Sequence, residues 1–218
     1  MTHHPKHELL SVYASGELPA SLSLAIAAHI ELCPQCRGMA DDITVHAANT
    51  HLGVHKHNDS EPHEDAFADM IMKITQDASL FEWQEPISID LEIKNRHYTL
   101  PRALRSLTLQ KQQKLGKLTR TRIDLNEGNV KASLLHIEPG GSVPMHTHKG
   151  FELTLLLDGE FEDEMGKYTK GDFIWLNGEH EHTPTTQTGC LCFTVSDDAL
   201  QFTQGISKLL NPIGQFIY

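Results

Sequence analysis

Apolar residues recur with two different periods in the two halves of the chain. In the first half they return every three to four positions, as on one face of an α-helix. This spacing, with its glycine and proline punctuation, predicts four helices: Glu8 to Gly16, Ser21 to Cys33 before Pro34, about Gln35 to about Ala48, and Glu64–Gln76. The last is amphipathic, because Phe67, Met70, Ile71 and Ile74 stand at i, i+3, i+4 and i+7.

From about residue 86 onwards, short runs of alternating apolar and polar residues replace the helical pattern. Glycine and proline clusters separate these runs, which is typical of an all-β barrel or sandwich. The predicted strands are Ile87–Ile93, Thr119–Leu125, Ala132–Ile137, Leu153–Leu157, Phe173–Leu176 and Leu191–Val195. The basic and polar stretch Arg102–Leu118 is either a helical excursion or a loop.

This change of period predicts an α + β protein with its helices and strands in separate domains. We expect a small four-helix domain over residues 1–85 and an all-β barrel over residues 86–218. The total of 218 residues suits either one large domain or two small ones. Thr50–Asp65 is rich in His, Asn, Asp and Pro, and reads as a loop or flexible connection.

Charge is distributed unevenly along the chain. The formal net charge is −11, of which residues 1–85 carry −9 and residues 86–218 carry −2. Contacts to phosphate need Lys and Arg, so we expect no direct nucleic-acid binding. An acidic first half suits a basic protein partner, although acidity that only aids solubility would look the same. No apolar stretch is long enough to span a bilayer and no secretory signal is visible, so we expect a cytoplasmic protein without membrane contact.

A metal site is indicated in the first half by His29, Cys33 and Cys36, which form the pattern H-x3-C-x2-C. His29 and Cys33 are four residues apart, so one helix face presents both. Pro34 then turns the chain and Cys36 returns from the start of the next helix. This arrangement suits a tetrahedral Zn²⁺ site that needs one further ligand.

A second metal site is indicated by His146, His148 and Glu152. Residues two apart on a strand share a face, so the imidazoles point the same way and the glutamate converges on them. Two imidazoles and a carboxylate suit a divalent transition metal. With Gly140 and Gly159, the pattern G-x5-H-x-H-x3-E-x6-G matches the first motif of the cupin superfamily at every position.

The second cupin motif supplies one more histidine on a later strand. His182 lies eleven residues after Gly171, at the offset that this motif has. The usual Pro and Gly before it are replaced by Asn177 and Glu179. His180 is two residues away and is a rival, but the spacing favours His182.

The whole chain resembles the ChrR-type anti-sigma factors, in which a zinc anti-sigma domain precedes a cupin. The stretches that carry the resemblance are Leu9-Leu-Ser-Val-Tyr-Ala-Ser-Gly-Glu-Leu-Pro and Ala28-His-Ile-Glu-Leu-Cys-Pro-Gln-Cys. In that family a histidine shortly before the Leu-Leu pair completes the zinc site. His4 lies at the matching distance, and His3 and His7 are rivals.

The resemblance implies a regulator rather than an enzyme. It implies that the helical domain binds and inhibits an extracytoplasmic-function sigma factor in the cytoplasm, with Glu64–Gln76 as a sigma-contacting helix. That helix could equally serve packing within its own domain. The resemblance further implies that the cupin is needed for release of sigma in response to singlet oxygen or organic hydroperoxide.

Two alternatives remain at the level of sequence. One is a metal-dependent cupin enzyme, dioxygenase-like or hydrolytic, since cupins host many activities. The other is a metal sensor or store that uses some of the 15 histidines.

The set of cupin ligands accepts Zn²⁺, Mn²⁺, Fe²⁺ or Ni²⁺. Cys190 and Cys192 are either a redox pair or, as we favour, buried small apolar groups.

Overall fold

The fold is described from a computed structural model, which covers residues 1–52, 64–77, 90–94, 96–148, 150–197 and 201–203. The predicted domain boundary at residues 85 and 86 lies outside these residues, as does most of the predicted connection Thr50–Asp65. Among the described helices, none combines the length and the apolar character that crossing a membrane requires.

Four helices come first along the chain: α1 (His7–Ala14), α2 (Ala20–Leu32), α3 (Pro34–His51) and α4 (Glu64–Gln76). The local sequence explains where several of them begin or end. Gly16, at φ +74°, follows α1 in the left-handed conformation that terminates many helices. Pro34 occupies the first turn of α3, where its missing N–H costs nothing. The prediction for α4 is confirmed at both ends, whereas α3 runs past its predicted end at about Ala48.

The rest of the chain is mainly antiparallel β-structure, with these strands: β1 (Asp90–Ile93), β2 (Arg96–Thr99), β3 (Gln113–Leu115), β4 (Leu118–Ile123), β5 (Lys131–Ile137), β6 (Gly141–Ser142), β7 (His146–Thr147), β8 (Phe151–Asp163), β9 (Gly166–Thr169), β10 (Phe173–Asn177), β11 (Thr185–Thr186), β12 (Cys190–Ser196) and β13 (Gln201–Phe202). Nine of them form one sheet in the order β3-β4-β5-β12-β8-β11-β6, with β9 and β10 also paired to β8. β1 pairs with β2, and β7 pairs with β13.

Two details differ from the predicted four-helix domain and barrel. A fifth helix, α5 (Arg102–Arg105), occurs within the predicted all-β part and packs against α2. It occupies the start of the stretch Arg102–Leu118, and β3 occupies the end of it. The large sheet does not close on itself through the pairings of the described residues. The coarser prediction, helices first and a cupin-like sheet second, is confirmed.

The helices and the sheet share one apolar core. Leu10 of α1 and Ile26 of α2 are fully buried in the same cluster as Leu155 of β8 and Phe193 of β12. A second cluster lies inside the folded sheet and includes Leu156, Cys190 and Cys192. The helical region is therefore packed directly on the β-structure, and each depends on the other to bury its apolar surface.

Polar contacts fix α2 on the β-structure at both of its ends. The Ser21 N–H at the start of α2 lies 3.2 Å from both carboxylate oxygens of Glu127. An acidic group at this position also complements the helix dipole. Near the other end, Glu31 Oε2 accepts a hydrogen bond of 2.8 Å from the Arg102 N–H at the beginning of α5. Since α2 carries His29, these contacts also fix the position of a predicted metal ligand.

Candidate metal centres

The first cluster of metal-binding side chains assembles where α2 meets α3. His29 lies in the last turn of α2, Cys33 links the two helices, and Cys36 lies in the first turn of α3. His4 reaches them from the chain that precedes α1. One ligand atom from each of the four residues lies within 4.8 Å of all the others. The predicted H-x3-C-x2-C residues therefore converge on one point.

Among the three candidate histidines for the fourth position, the structure brings His4 into this cluster. His4 Nδ1 lies 3.5 Å from Cys33 Sγ and 3.4 Å from Cys36 Sγ. His3 instead packs at a tilt against the ring of Tyr168, with 4.9 Å between ring centroids. His7 is exposed, next to Ser11 one turn further along α1.

His29 is prepared as a ligand by its surroundings. Burial lowers its pKa to about 4, so the ring is neutral at physiological pH. Its Nδ1 lies 2.8 Å from the carbonyl oxygen of Gly171, so Nδ1 carries the proton that is donated to this carbonyl. The other ring nitrogen, Nε2, is buried and has no hydrogen-bond partner. Burying a nitrogen without a hydrogen-bond partner costs free energy unless the nitrogen binds a ligand. The Nε2 atom of His29 points into the cluster.

The two thiols complete a set that fits zinc. Burial, followed by the neighbouring Cys33 thiol, raises the pKa of Cys36 to about 12. A metal must therefore displace the proton of the Cys36 thiol when it binds. Two sulfur and two nitrogen ligands with an enclosed geometry are characteristic of structural Zn²⁺ sites.

The second cluster lies inside the sheet and contains all four residues that the two cupin motifs predict. His146 belongs to β7, His148 follows it, Glu152 is in β8, and His182 lies shortly before β11. Their ligand atoms also lie within 4.8 Å of one another, and all four residues are buried. The backbones of His146 and His182 pair directly, with N–H to carbonyl distances of 3.2 and 3.1 Å. His180 stays outside the cluster, with its Nδ1 2.6 Å from Asn177 Oδ1.

A buried carboxylate contacts two of the histidines in this second cluster. Glu152 Oε2 lies 2.9 Å from His148 Nε2 and 3.5 Å from His182 Nε2. Although burial opposes ionisation of Glu152, its hydrogen bonds with these two histidines lower its pKa well below the usual range. A buried carboxylate surrounded by three imidazoles is a strong site for a divalent cation.

The two histidines that pair across the cluster have opposite protonation states. Burial lowers the pKa of His146 to about 4. Burial also disfavours the charged form of His182, but hydrogen bonds to Asp163 and Glu152 outweigh it and raise its pKa to about 9. The Nε2 atoms of His146 and His182 are 2.9 Å apart, so the two rings converge on one point. A metal ion bound there would require both of these nitrogens to be free of protons.

A carboxylate that the sequence patterns did not indicate orients one of these ligands from outside the cluster. Asp163 Oδ2 lies 3.1 Å from His182 Nδ1, and the Asp163 side chain is almost fully buried. Metal-binding histidines commonly donate their second nitrogen to such a carboxylate. The only sequence signal for Asp163 is its place before the turn glycine Gly166, which does not indicate a role beside a metal.

Cys190 and Cys192 are buried within the sheet next to the second cluster. Cys192 lines the same cavity as His146, Glu152 and His182. The hydrogen bond with Cys190, together with burial, raises the pKa of Cys192 well above its usual range. The thiol is therefore protonated, as expected for a small buried group rather than for a reactive thiolate.

Comparison with known proteins defines the class of protein to which these two sites belong. Residues 7–37 match the family described as "Putative zinc-finger", and residues 116–199 match the family described as "ChrR Cupin-like domain". The first match covers three ligands of the helical cluster, and the second covers all four ligands of the β cluster. The fold and its sites thus define a zinc-finger region followed by a cupin-like domain.

The family is shown by a relative that matches almost the entire chain. The chain is 31% identical over 226 residues to the anti-sigma-E factor ChrR of Cereibacter sphaeroides, with 96% of each protein covered. The chain therefore belongs to the family of ChrR anti-sigma factors, which are regulators and not enzymes.

Solved structures give the same result for the fold. The crystal structure of Rhodobacter sphaeroides SigE in complex with the anti-sigma ChrR matches with a TM-score of 0.62 and 27% identity, covering 89% of this chain and 98% of that one. An acetylacetone dioxygenase from Acinetobacter johnsonii also matches, but its TM-score of 0.38 and identity of 15% carry no argument for an enzyme.

Proposed function

We propose that this chain is a cytoplasmic anti-sigma factor that binds and inhibits an extracytoplasmic-function sigma factor. The observation that carries the proposal is the extent of the family relationship, which spans 96% of the chain and therefore both of its metal clusters. Each cluster has its four ligands assembled in one place. A chain that kept only a cupin enzyme activity would have no use for the first cluster.

The surface that best suits a sigma factor is the apolar face of α4, formed by Phe67, Met70, Ile71 and Ile74. These side chains are between 48% and 57% exposed, although their spacing is that of a packed helix face. Apolar residues that line one exposed face of a helix typically bind in a groove of a partner protein. Such exposure does not favour the other interpretation of α4, in which this face packs within its own domain.

Charge supports a protein partner for the same region. Residues 1–85 carry a net charge of −9, and two acidic residues, Asp69 of α4 and Asp42 of α3, lie on exposed positions. A sigma factor must contact DNA and is therefore basic on its binding surfaces. Complementary charge would speed association and orient the two proteins.

The functional division that we propose assigns inhibition to residues 1–85 and the response to residues 86–218. In this proposal the first region is a four-helix zinc anti-sigma domain, with zinc held by His4, His29, Cys33 and Cys36. The second is a cupin barrel that binds zinc or another divalent metal through His146, His148, Glu152 and His182. Release of sigma under singlet oxygen or related oxidants requires the cupin.

The size of the cupin cavity favours a sensor over an enzyme. The cavity beside His146, Glu152 and His182 has a volume of about 30 Å³. Sites for organic ligands typically measure several hundred Å³. The cavity beside the cluster is therefore much smaller than an organic substrate would need.

Co-expression with a sigma factor of the extracytoplasmic-function group tests the proposal directly. We expect the full chain to co-purify with sigma in equal amounts and to suppress sigma-dependent transcription in a reconstituted assay. A full chain that carries both metals but neither binds nor inhibits any such sigma factor would overturn the proposal. Oxidation of an organic substrate by that same protein would then support the enzyme alternative.

The division of labour has a separate test, in which residues 1–85 are assayed for inhibition without the β region. Because the fragment exposes Ile26 and other core residues of α2, it is best compared with the full chain at equal zinc content. Inhibition that needs residues 86–218 as well would show that the division is wrong, while leaving the anti-sigma function intact.

A further inference from the structure

The turn between β9 and β10 is a rigid element of the cupin-like sheet. The Asp172 N–H donates to the Thr169 carbonyl over 2.9 Å, which closes a four-residue turn. Gly171 occupies its third position with φ +92°, as a type II turn requires. Asp172 Oδ2 accepts hydrogen bonds from the backbone N–H and the hydroxyl of Thr169, at 2.7 and 3.1 Å.

The other oxygen of Asp172 binds the chain immediately before His4. Asp172 Oδ1 accepts hydrogen bonds from the N–H groups of Thr2 and His3, at 2.6 and 2.9 Å. The Phe173 N–H donates to the His3 carbonyl over 3.0 Å, so residues 2 and 3 lie along the start of β10. The Asp172 side chain is only 1% exposed, so these bonds are protected from water. The backbone on the N-terminal side of His4 is thereby fixed.

The same turn also orients a second ligand of the helical cluster. The Gly171 carbonyl accepts the Nδ1 proton of His29 over 2.8 Å, which leaves Nε2 as the metal-facing nitrogen. The ring of Phe173 packs edge-on against the His29 ring, with 5.6 Å between the centroids. Both ring orientation and tautomer of His29 are therefore set by residues more than 140 positions away in the sequence.

From these contacts we infer that Gly171 and Asp172 of the cupin-like domain are positioning residues of the N-terminal zinc site. Two of the four zinc ligands, His4 and His29, are held in place by this turn, and the two cysteines are held by α2 and α3. The zinc affinity of the helical region is then a property of the whole protein. The first region needs contact with the cupin-like domain to bind its metal with full affinity.

The turn is also attached to the strand that carries a cupin ligand. The Gly171 N–H donates to the Leu156 carbonyl over 2.7 Å, and the Leu156 N–H donates to the Asp172 carbonyl over 3.0 Å. Leu156 lies in β8 four residues after Glu152, and Leu176 of β10 pairs directly with Glu152. A displacement of β8 at the cupin metal therefore moves the turn that supports His29 and His4.

Cobalt offers a readout that is specific to the helical site, because only that cluster contains thiolate ligands. The full chain loaded with Co²⁺ is mixed with a strong chelator, and the decay of the cobalt–thiolate absorption is followed. Asp172→Asn is the principal variant. An asparagine offers one oxygen acceptor in place of two, and it loses the charge that strengthens all four bonds.

We expect the cobalt–thiolate band of Asp172→Asn to decay about tenfold faster than that of the parent, the usual effect of losing an outer-shell partner. Deletion of Thr2 and His3 removes the same contact from the other side and should give the same acceleration. Asp124→Asn makes the same chemical change at an exposed carboxylate that accepts the Asn126 N–H, and it should leave the decay unchanged. Cupin metal content, measured by elemental analysis, should be unaffected in all three.

Two results would overturn the inference. One is a decay that is unchanged in both Asp172→Asn and the deletion. The other is an acceleration that appears equally in Asp124→Asn, or that accompanies loss of the cupin metal, since either would indicate general loosening of the fold. Because no sigma factor takes part in the assay, failure here leaves the proposed anti-sigma function standing.

Discussion

Asp163 and His182 form a buried pair in which the carboxylate orients the imidazole: Asp163 Oδ2 lies 3.1 Å from His182 Nδ1. The same Asp163 side chain accepts backbone N–H groups from Met165 and Gly166, so it is fixed by the turn after β8. His182 thus presents Nε2 to the other cupin ligands, and its orientation does not depend on a metal being bound.

This pair predicts that Asp163→Asn weakens the cupin metal site. The neutral amide oxygen is a weaker acceptor for the His182 Nδ1–H than the carboxylate, and outer-shell losses of this kind typically cost a factor of ten or more in metal affinity. Competition with a chelator, followed by elemental analysis, measures the change. Asp124→Asn is the matched control, because the exposed Asp124 carboxylate accepts the Asn126 N–H and belongs to neither metal cluster. Equal metal retention in both variants would contradict the role of Asp163.

The N-terminal site predicts that Cys33→Ser or Cys36→Ser removes zinc and abolishes sigma binding. Structural zinc contributes on the order of 10 kcal/mol to the folding of small zinc domains, so loss of one thiolate should unfold α2 and α3 locally. Zinc content and co-purification with sigma are the measurements. His7→Ala is the control and should keep its zinc, since His7 lies outside the cluster. Full zinc content in either cysteine variant would exclude the proposed ligand set.

The apolar face of α4 predicts that Ile71→Asp prevents sigma binding without unfolding the protein. Ile71 is 57% exposed, so a charge there costs little in the free chain but must be buried in the complex. We expect a loss of at least a hundredfold in affinity by calorimetry, with an unchanged melting temperature. Lys73→Ala, on the charged side of the same helix, should bind nearly as the parent does. Normal binding of Ile71→Asp would place the sigma-binding surface elsewhere.

The cupin site predicts that alanine variants of its four ligands still inhibit sigma but release it poorly under oxidant. The four residues lie inside the β-structure and none of them belongs to α4, so their loss should not remove the inhibitory surface. Couplings between distant sites are typically about 1–3 kcal/mol, which shifts a balanced equilibrium but does not undo tight binding. We therefore expect a covalent or proteolytic step to complete release in the parent protein.

A sigma-dependent reporter in cells measures this response, with and without singlet oxygen. The four variants are His146→Ala, His148→Ala, Glu152→Ala and His182→Ala, and His180→Ala is the matched control because it lies outside the ligand set. The control should respond as the parent does. Normal induction in all four ligand variants would show that the cupin metal is not the sensor.

The sequence predicted best those features that short-range patterns encode. The bounds of α4 follow from a helical period. Seven of the eight clustered side chains follow from fixed spacings within three short motifs, and the eighth, His4, follows from the family resemblance. β8 is longer than predicted because its apolar run stops at Asp158, while the strand continues through Gly159 with polar residues on one side. A single sequence does not indicate how far a strand extends beyond its apolar run.

Contacts between distant segments could not be predicted in this way. The bond between His29 and the Gly171 carbonyl joins residues in two different motifs, and nothing in either motif indicates the other. The shared core was missed for the same reason: Leu10 and Phe193 are both apolar, but only the fold shows that they belong to one cluster. Such contacts depend on how the helices dock on the sheet.

If the cupin responds to oxidants as proposed, its narrow cavity should discriminate between them by size. At about 30 Å³, the space beside His146, Glu152 and His182 suits a molecule about as small as dioxygen in its excited state. A hydroperoxide with a bulky organic group would need the surrounding residues to move apart first. The two stimuli should thus act with different kinetics: the small one at a rate set by its supply, and the large one at a rate limited by opening of the sheet.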